Sequence, residues 1–338
     1  MNGKIIFPKK LKIKRKFIFG IVGTGKMAYQ HARVIKSFGH SVGAVFSRSN
    51  GRYAKIFSQK QKAPLIKNLS EVLKDKINLD GWIICGKWNN LYKDLLFFLK
   101  QDKPVLIEKS IIVNISQINA ILRNYSKNKI KNIFIGYNRN YYDFIPYLVK
   151  KLKKEKIIYA EAFLADKYSQ IIKNHGRSII KSLPIYITSH WLNLILKVME
   201  LLGYRISKIK KIRLKKLNFF NSHKLSLVFK SKKKNKRVLF DIIHAPDLPA
   251  NHKISFYSEK RVYNISPIEK LTINEKLKKN HGSYIPTTKH FACDNTYKPG
   301  LRYQYYDFIK KNFYKKKSIL NTDMSQLLRL YKLCKFIS

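Results

Sequence analysis

Apolar and polar positions in the first part of the chain form short apolar runs separated by longer segments with helical spacing. Residues 17–22 are an apolar run that predicts a buried strand, and residues 26–38 carry Met27, Val34, Ile35 and Phe38 on one helical face. Strand and helix then alternate at residues 41–46, 51–60, 70–74, 81–85, 91–101, 104–108, 116–126 and 132–137. This alternation predicts a doubly wound α/β domain with a parallel sheet, which binds its ligand at the carboxyl ends of the strands.

The pattern changes after a predicted linking helix at residues 141–154. Strand-like stretches follow one another closely, and the only strong helix among them covers residues 184–202. We predict an α+β domain with a mostly antiparallel sheet. Its strands are expected at residues 157–164, 206–217, 224–229, 238–244 and 254–257, with a solvated hairpin loop at 230–237 and closing helices near 303–314 and 323–336. The predicted domains are residues 1–140 and residues 141–338, the second including the C-terminal helices.

A glycine-rich turn lies directly after the first predicted strand. Residues 20–26 satisfy most of a P-loop, but Met27 stands where a hydroxyl would have to bind magnesium, so this interpretation is weak. Gly23, Gly25 and Ala28 fit the stronger pattern G-x-G-x-x-G/A. There the first glycine makes the tight turn, the second admits a pyrophosphate, and the small third residue lets the helix pack closely. The turn therefore predicts a dinucleotide-binding domain.

The end of the second predicted strand bears on the choice of cofactor. The sequence Ser47-Arg48-Ser49 offers a guanidinium and no carboxylate for the ribose 2′-hydroxyl of NAD. We expect Arg48 to favour the 2′-phosphate of NADP. The alternative is that Arg48 only stacks on adenine, in which case both cofactors bind.

Composition narrows the class of protein. The chain has 338 residues, with 70 Lys+Arg against 19 Asp+Glu and a formal net charge of +51. Only 13 of the basic residues are Arg, and the lysines are spread along the whole chain, so no specific nucleic-acid partner is predicted. Three widely spaced cysteines predict neither disulfides nor a metal site, and no apolar run is long enough for a membrane span. We expect a cytoplasmic protein.

These features together resemble the Gfo/Idh/MocA family of dinucleotide-dependent oxidoreductases over nearly the whole chain. The resemblance rests on the glycine turn, on Ser47-Arg48, and on residues 79–85, 103–109, 135–139 and 189–193. It implies an NAD(P)-binding Rossmann domain followed by an open-faced sheet domain that binds a sugar or related polyol and often mediates oligomerisation. The resemblance therefore implies a homo-oligomer formed through the second-domain sheet. Residues 297–301 also resemble members associated with surface-polysaccharide and amino-sugar pathways.

The resemblance also assigns roles to individual residues. Lys109 takes the place of the family's Glu-Lys-Pro lysine beside nicotinamide and the reacting hydroxyl, and His190 matches the histidine of the second-domain helix. The implied catalytic residues are Lys109, His190 and Tyr186. The implied cofactor-binding residues are Gly23, Thr24, Gly25, Lys26, Met27, Ala28, Ser47, Arg48, Cys85, Gly86, Glu108, Lys109 and Asn138, and the substrate-binding residues are Lys109, Tyr137, Arg139 and Asn193.

The chain departs from the family pattern at several of these positions. Ser110 replaces the usual proline, Gly86-Lys87-Trp88 and Leu91 replace a Thr-Pro-Asn and a histidine, and Tyr186 and Asn193 replace carboxylates. Three explanations stay open: Tyr186 or His190 transfers the proton with Lys109, the substrate is not a simple polyol, or activity is lost. The main hypothesis is an NAD(P)-dependent sugar dehydrogenase or reductase. Its rivals are a non-catalytic binding or regulatory protein and a polyanion-binding protein.

Overall fold

The computed structural model describes residues 13–49, 51–68, 78–109, 114–217, 220–231, 236–267, 269–275, 287–293 and 295–337. The chain forms two compact units. Unit 1 comprises Met1–Tyr141 and Asn295–Arg329, and unit 2 comprises Tyr142–Asp294 and Leu330–Ser338. The predicted helix at residues 70–74 lies outside the described residues.

Unit 1 is built on a parallel sheet covered by helices. In the described residues its N-terminal part contains β1 (Ile18–Val22), α1 (Lys26–Ser37), β2 (Ser41–Phe46), α2 (Arg52–Gln61), β3 (Leu65–Ile66), β4 (Gly81–Ile84), α3 (Trp88–Leu99), β5 (Val105–Glu108), α4 (Ile115–Asn124), α5 (Lys127–Lys131) and β6 (Ile133–Gly136). The strand order is β3-β2-β1-β4-β5-β6, and every pairing is parallel. The doubly wound prediction is confirmed.

The parallel sheet is buried because its strands are apolar on both faces. All four residues of β4, β5 and β6 are buried. Strand order reverses at β1, so the carboxyl ends of β1 and β4 flank the switch point at which such sheets bind ligands. The two-residue strand β3 was not predicted, because it is too short to show an apolar alternation and follows Ala63 and Pro64. It makes two pairings with β2.

The C-terminal helices α9 (Leu301–Phe313) and α10 (Met324–Cys334) correct the expected domain division. We expected both helices in the second domain, but α9 and the first part of α10 fall in unit 1, whereas α10 from Leu330 onward falls in unit 2 as expected. Aromatic packing explains this: the ring of Phe313 lies 4.4 Å from that of Phe17, and the ring of Phe308 lies 6.0 Å from that of Phe19. The aromatic face of α9 is therefore buried against the β1 segment.

Unit 2 is dominated by one eight-stranded sheet in the order β14-β13-β12-β11-β7-β10-β9-β8. Every pairing is antiparallel except that of β7 with β10, which confirms a mostly antiparallel sheet. Its described elements are α6 (Ile145–Leu152), β7 (Ile157–Leu164), α7 (Tyr168–His175), α8 (Ser189–Leu201), β8 (Tyr204–Leu217), β9 (Phe220–Ser231), β10 (Arg237–His244), β11 (Lys253–Ser258), β12 (Arg261–Ile265), β13 (Lys270–Glu275) and β14 (Thr287–Ala292).

Sequence reasoning missed the last three strands of this sheet. β12, β13 and β14 carry arginine, lysine, asparagine, threonine and glutamate, so their apolar alternation is short and weak. The predicted hairpin at residues 230–237 matches the pairing of Lys230 with Arg237, while residues 232–235 lie outside the described residues. No helix in the described ranges is both long enough and apolar enough to cross a membrane.

Candidate functional site

The glycine turn joins the ends of three strands in unit 1. Gly23 has φ +106°, its N–H donates to the carbonyl of Phe46 at 2.9 Å, and a Cβ at this position would lie 2.8 Å from the carbonyl oxygen of Cys85. Only glycine fits such a positive φ and such a close approach without strain. The turn after β1 is thereby fixed against the carboxyl ends of β2 and β4.

The N-terminus of α1 is open for an anion. Gly25 precedes the helix in an extended conformation, no side chain caps the first turn, and no acidic residue lies in it. A Cβ on Gly25 would meet no atom within 4 Å, so the backbone here borders open space, while Ala28 is fully buried under the helix. Free N–H groups and the positive end of the helix dipole suit a pyrophosphate, and the residues present fit a dinucleotide.

Arg48 follows β2 and forms an ion pair with a carboxylate that the sequence did not reveal. Its guanidinium donates to Asp94 of α3, whose side chain is only 2% exposed, while the Arg48 side chain is 44% exposed. Burial raises the pKa of Asp94, and the neighbouring Arg48 opposes that shift. Ser47, which precedes Arg48, is buried with its hydroxyl 3.3 Å from that of Ser49. Arg48, the residue predicted to bind the 2′-phosphate, is therefore already paired with the carboxylate of Asp94.

Cys85 and Gly86 occupy the end of β4, as expected for residues that border a bound cofactor. Cys85 is buried, and burial raises the pKa of its thiol well above its usual value, so the thiol stays protonated. A Cβ on Gly86 would lie 3.6 Å from Oδ2 of Asp94. Gly86 thus places the open backbone of β4 beside the Arg48–Asp94 pair.

Glu108 ends β5 and lies in a cluster of basic groups. Its Oε1 is 2.9 Å from Nε2 of His31 on α1, and both side chains are buried. Burial alone would raise the pKa of Glu108, but His31, Lys298 and Lys109 together hold it below the ordinary value. The carboxylate is therefore charged at neutral pH, although it is almost out of contact with water.

Lys298 is a cationic residue of this site for which the sequence gave no role. Its Nζ lies 3.1 Å from Sδ of Met27 in the first turn of α1. The segment is held in place because a side-chain N–H of Asn138 donates to the carbonyl of Pro299 at 2.8 Å. Gly300, at φ +77°, admits the Asn138 carbonyl where a Cβ would lie 2.1 Å away. The only sequence signal was the resemblance of residues 297–301.

Lys109 follows Glu108 directly, with its Nζ 5.8 Å from the centre of the Trp88 ring. Trp88 is one of the departures from the family pattern after β4, so this departure contacts the predicted catalytic lysine. Of the predicted substrate residues in unit 1, Tyr137 is 1% exposed, whereas Arg139 is only partly buried. Thr24 and Lys26 remain at the start of α1, between Gly23 and Met27.

The predicted site residues of unit 2 are Tyr186, His190 and Asn193, which lie on one continuous helical segment. Tyr186 lies in a π-helical turn, Pro184–Thr188, that leads directly into α8, where His190 and Asn193 follow. The spacing of four and then three residues places all three on one face. All three are largely buried, and burial raises the pKa of Tyr186. π-Helical turns are frequent at functional sites.

A buried carboxylate, Asp166, lies beside this helix start. Thr188 donates to Asp166 Oδ2 at 2.6 Å, and Nε2 of His244 and of His252 lie 3.7 Å and 3.6 Å from its two oxygens. Burial opposes ionisation of Asp166, but these neighbours lower its pKa. Sequence reasoning missed Asp166 because its partners come from the helix start, β10 and a loop. Its oxygens hold Thr188 in place, two residues from both Tyr186 and His190.

Comparison with known proteins supports the dinucleotide-binding interpretation. The model of the family GFO_IDH_MocA, described as an oxidoreductase family with an NAD-binding Rossmann fold, matches residues 17–137. No curated protein matches the chain. Solved structures share the fold over both units at low sequence identity.

Three of these structures illustrate the likeness. UDP-N-acetylglucosamine 3-dehydrogenase from Acidithiobacillus ferrooxidans is 14% identical, with a TM-score of 0.70 over 95% of this chain and 96% of that one. A dehydrogenase from Chromobacterium violaceum is 11% identical, with a TM-score of 0.73 over 95% and 94%. A myo-inositol dehydrogenase from Corynebacterium glutamicum is 12% identical, with a TM-score of 0.67 over 95% of each chain.

Proposed function

Because residues 17–137 match the model of the Gfo/Idh/MocA oxidoreductase family, we propose that the chain belongs to this family and is an NAD(P)-dependent oxidoreductase acting on a secondary alcohol or ketone of a sugar derivative. The observation that carries the proposal is the dinucleotide turn, in which Gly23 is fixed against β2 and β4 while the start of α1 stays open. The nicotinamide supplies the hydride chemistry when the cofactor is bound.

The cofactor would be held by unit 1. Gly23 to Ala28 would bind the pyrophosphate through backbone N–H groups, with Lys298 as an additional cation. Ser47 and Arg48 would bind the adenosine end, and Cys85, Gly86, Glu108 and Asn138 would border the remainder. We propose a preference for NADP, supported by Arg48 and moderated by its pairing with Asp94.

Proton transfer is assigned to Lys109, His190 and Tyr186. The Lys109 ammonium would stabilise the alkoxide that precedes hydride departure, and a neutral lysine would accept the hydroxyl proton. His190 would bind or deprotonate a substrate hydroxyl. Tyr186 has a pKa raised by burial, so it would act as a proton donor rather than as a base at neutral pH. Tyr137, Arg139 and Asn193 would contact the substrate.

The substrate class rests on the family and on the named neighbours. Two of the similar structures are dehydrogenases of a nucleotide-linked amino sugar and of a cyclic polyol. We propose a sugar or sugar derivative, with a place in surface-polysaccharide or amino-sugar metabolism. The basic surface of the chain suits a phosphorylated or nucleotide-linked substrate.

We also propose that the protein forms a homo-oligomer and is located in the cytoplasm. On β10, Val238, Phe240 and Ile242 are buried, whereas Leu239 and Ile243 on the opposite face are 42% and 36% exposed. These two exposed apolar side chains, which Asp241 separates on the same face, support a homo-oligomer formed through the unit 2 sheet. Three buried cysteines, all with free thiols, are consistent with a reducing cytoplasm.

The rival function is a non-catalytic dinucleotide-binding or regulatory protein. It is favoured by Tyr186 and Asn193, which stand where the family's helix motif has carboxylates. The charged Glu108 beside Lys109 favours the enzyme instead. The two hypotheses differ in turnover and agree on cofactor binding.

The decisive experiment is a fluorescence titration of the purified protein with NADPH and with NADH at low and high salt, followed by assay on a panel of nucleotide-linked sugars and polyols. Saturable binding that survives salt, together with turnover on a panel member, would support the enzyme. Binding without turnover on any panel member would favour the rival. Loss of all binding at high salt would refute both, because attraction of phosphate to a protein of charge +51 would then explain the signal.

A further inference from the structure

A lysine-rich cleft lies in unit 1, away from the residues assigned to the cofactor. It has a volume of about 980 Å³, and lysines line it from two sides: Lys129, Lys131, Lys311, Lys315, Lys316 and Lys317. Six of its twelve lining residues are lysine, whereas the whole chain has 70 lysines and arginines in 338 residues. The cleft is therefore enriched beyond the basic composition of the chain.

The cleft lies at the opposite end of the parallel strands from the glycine turn. Lys131 and Asn132 directly precede β6, and Asp102 precedes β5, so the lining meets these strands at their amino ends. Glu108 lies at the carboxyl end of β5. Four strand residues span about 13 Å, so the length of the strands separates this cleft from the carboxyl ends at which a dinucleotide is expected.

The positive charge of the cleft is poorly compensated within the described residues. Lys129 lies 3.6 Å from Asp102, and this is the one ion pair formed by the six lysines there. Lys315, Lys316 and Lys317 are exposed, and Lys315 has a left-handed φ of 53°, which turns the chain at the end of α9. Several like charges around one concavity create a strong local potential for anions.

Lys311 is a half-buried lysine of the cleft. Its Nζ donates to the carbonyl of Ile133 at 3.0 Å and lies 5.6 Å from the ring centre of Phe134. Burial lowers the pKa of Lys311 to about 8, against the raising effect of Asp307 and Asp323. The other charged groups that line the cleft are its five lysines and Asp102. A bound anion would raise this pKa, so binding near pH 8 would take up protons.

We propose that this cleft is a second anion site, which binds a small ligand carrying two or more linked phosphate groups. The size of the cleft falls within the range of small-molecule pockets. Lysine without arginine suits point-charge recognition of phosphate and not the bidentate reading of bases, which disfavours nucleic acid. The site is independent of the oxidoreductase assignment.

The test is calorimetric titration of the full-length protein with inorganic tripolyphosphate at pH 8 and with no dinucleotide present, because a dinucleotide also carries linked phosphates and would compete for the cleft. The K131S/K316S/K317S variant removes three exposed lysines of the cleft. K208S/K210S/K211S removes the same charge from exposed positions on β8 in unit 2. We expect a tripolyphosphate-binding component whose affinity falls at least tenfold in the cleft variant and changes less than twofold in the control.

A second measurement isolates Lys311. Titration in two buffers of different ionisation enthalpy should show proton uptake by the wild type that is absent in K311M. Equal losses in the two triple variants would overturn the proposal, because net charge alone would then govern binding. Tighter binding of a short single-stranded oligonucleotide than of tripolyphosphate, with the same dependence on the cleft lysines, would also overturn it.

Discussion

His31 Nε2 lies 2.9 Å from Glu108 Oε1, which links helix α1 to the end of β5, directly before Lys109. Both side chains are buried, so the Glu108 carboxylate depends on protein partners in place of water. This pair fixes the orientation of Glu108 beside the predicted nicotinamide site.

Replacing His31 should destabilise the fold in a pH-dependent manner. H31L leaves Glu108 buried without its hydrogen bond, and we expect a loss of about 3 kcal/mol at pH 7. Because the folded-state pKa of Glu108 is depressed, its stabilising contribution is present at neutral pH and is lost as the pH falls through the folded value. The loss measured by urea unfolding should therefore be smaller at pH 4. H31Q, which can still donate, should recover part of it; an equal loss at both pH values would contradict the assignment.

Asp94 should set the preference between the two cofactors. D94N keeps the size of the side chain but removes the charge that neutralises Arg48, so we expect NADPH affinity to rise about tenfold relative to NADH, equivalent to about 1.4 kcal/mol. R48S should lower NADPH affinity more than NADH affinity. The matched control is E259Q, since Glu259 is an exposed carboxylate that pairs with Lys156 in unit 2, outside the glycine turn and the lysine-rich cleft. An unchanged ratio in D94N would remove Asp94 from cofactor discrimination.

Lys298 should contribute to cofactor affinity without distinguishing the two cofactors. It contacts Met27 in the first turn of α1, where the pyrophosphate common to NADH and NADPH is expected. Loss of a hydrogen bond to a charged group costs about 1.5 to 3 kcal/mol, so K298M should weaken both cofactors tenfold or more in fluorescence titrations. K55M removes an exposed lysine from α2 and should leave both affinities unchanged. Equal effects of the two variants would indicate a general charge effect.

Alanine substitutions at the two glycines of the turn should have different effects, one on stability and the other on cofactor affinity. G23A places a Cβ against the Cys85 carbonyl at a positive φ, and we expect a loss of stability of about 3 kcal/mol. G25A meets no neighbouring atom, so its stability should change by less than about 1 kcal/mol. Its new methyl group would instead occupy space predicted for the pyrophosphate and lower cofactor affinity. Thermal unfolding and NADPH titration of both variants separate these effects; normal cofactor binding by G25A would count against the predicted pose.

Lys109 should act on turnover and not on cofactor binding. K109M removes the cation beside the proposed reacting hydroxyl, so steady-state turnover on an identified sugar substrate should fall by orders of magnitude, while NADPH affinity changes little. K55M again provides the control for loss of one lysine from unit 1. Unchanged turnover in K109M would exclude the lysine from the mechanism.

The sequence by itself determined those features that depend on local spacing. The apolar runs and helical faces of residues 17–137 predicted the parallel sheet, and Gly23, Gly25 and Ala28 identified the dinucleotide turn, because strand, turn and helix are contiguous there. Arg48 at the end of β2 followed from the same reasoning, since parallel strands bring their carboxyl ends together, whereas Glu108 was implied by the family resemblance.

Tertiary structure decided the features that depend on contacts between distant segments. Arg48 meets Asp94 across 46 residues, His31 meets Glu108 across 77, and Met27 meets Lys298 across 271, and no local pattern encodes such pairs. The return of α9 to unit 1 likewise depends on aromatic packing against Phe17 and Phe19. Burial then set the charge state of these groups, because the cost of removing a carboxylate or an ammonium group from water depends on which partners the fold supplies.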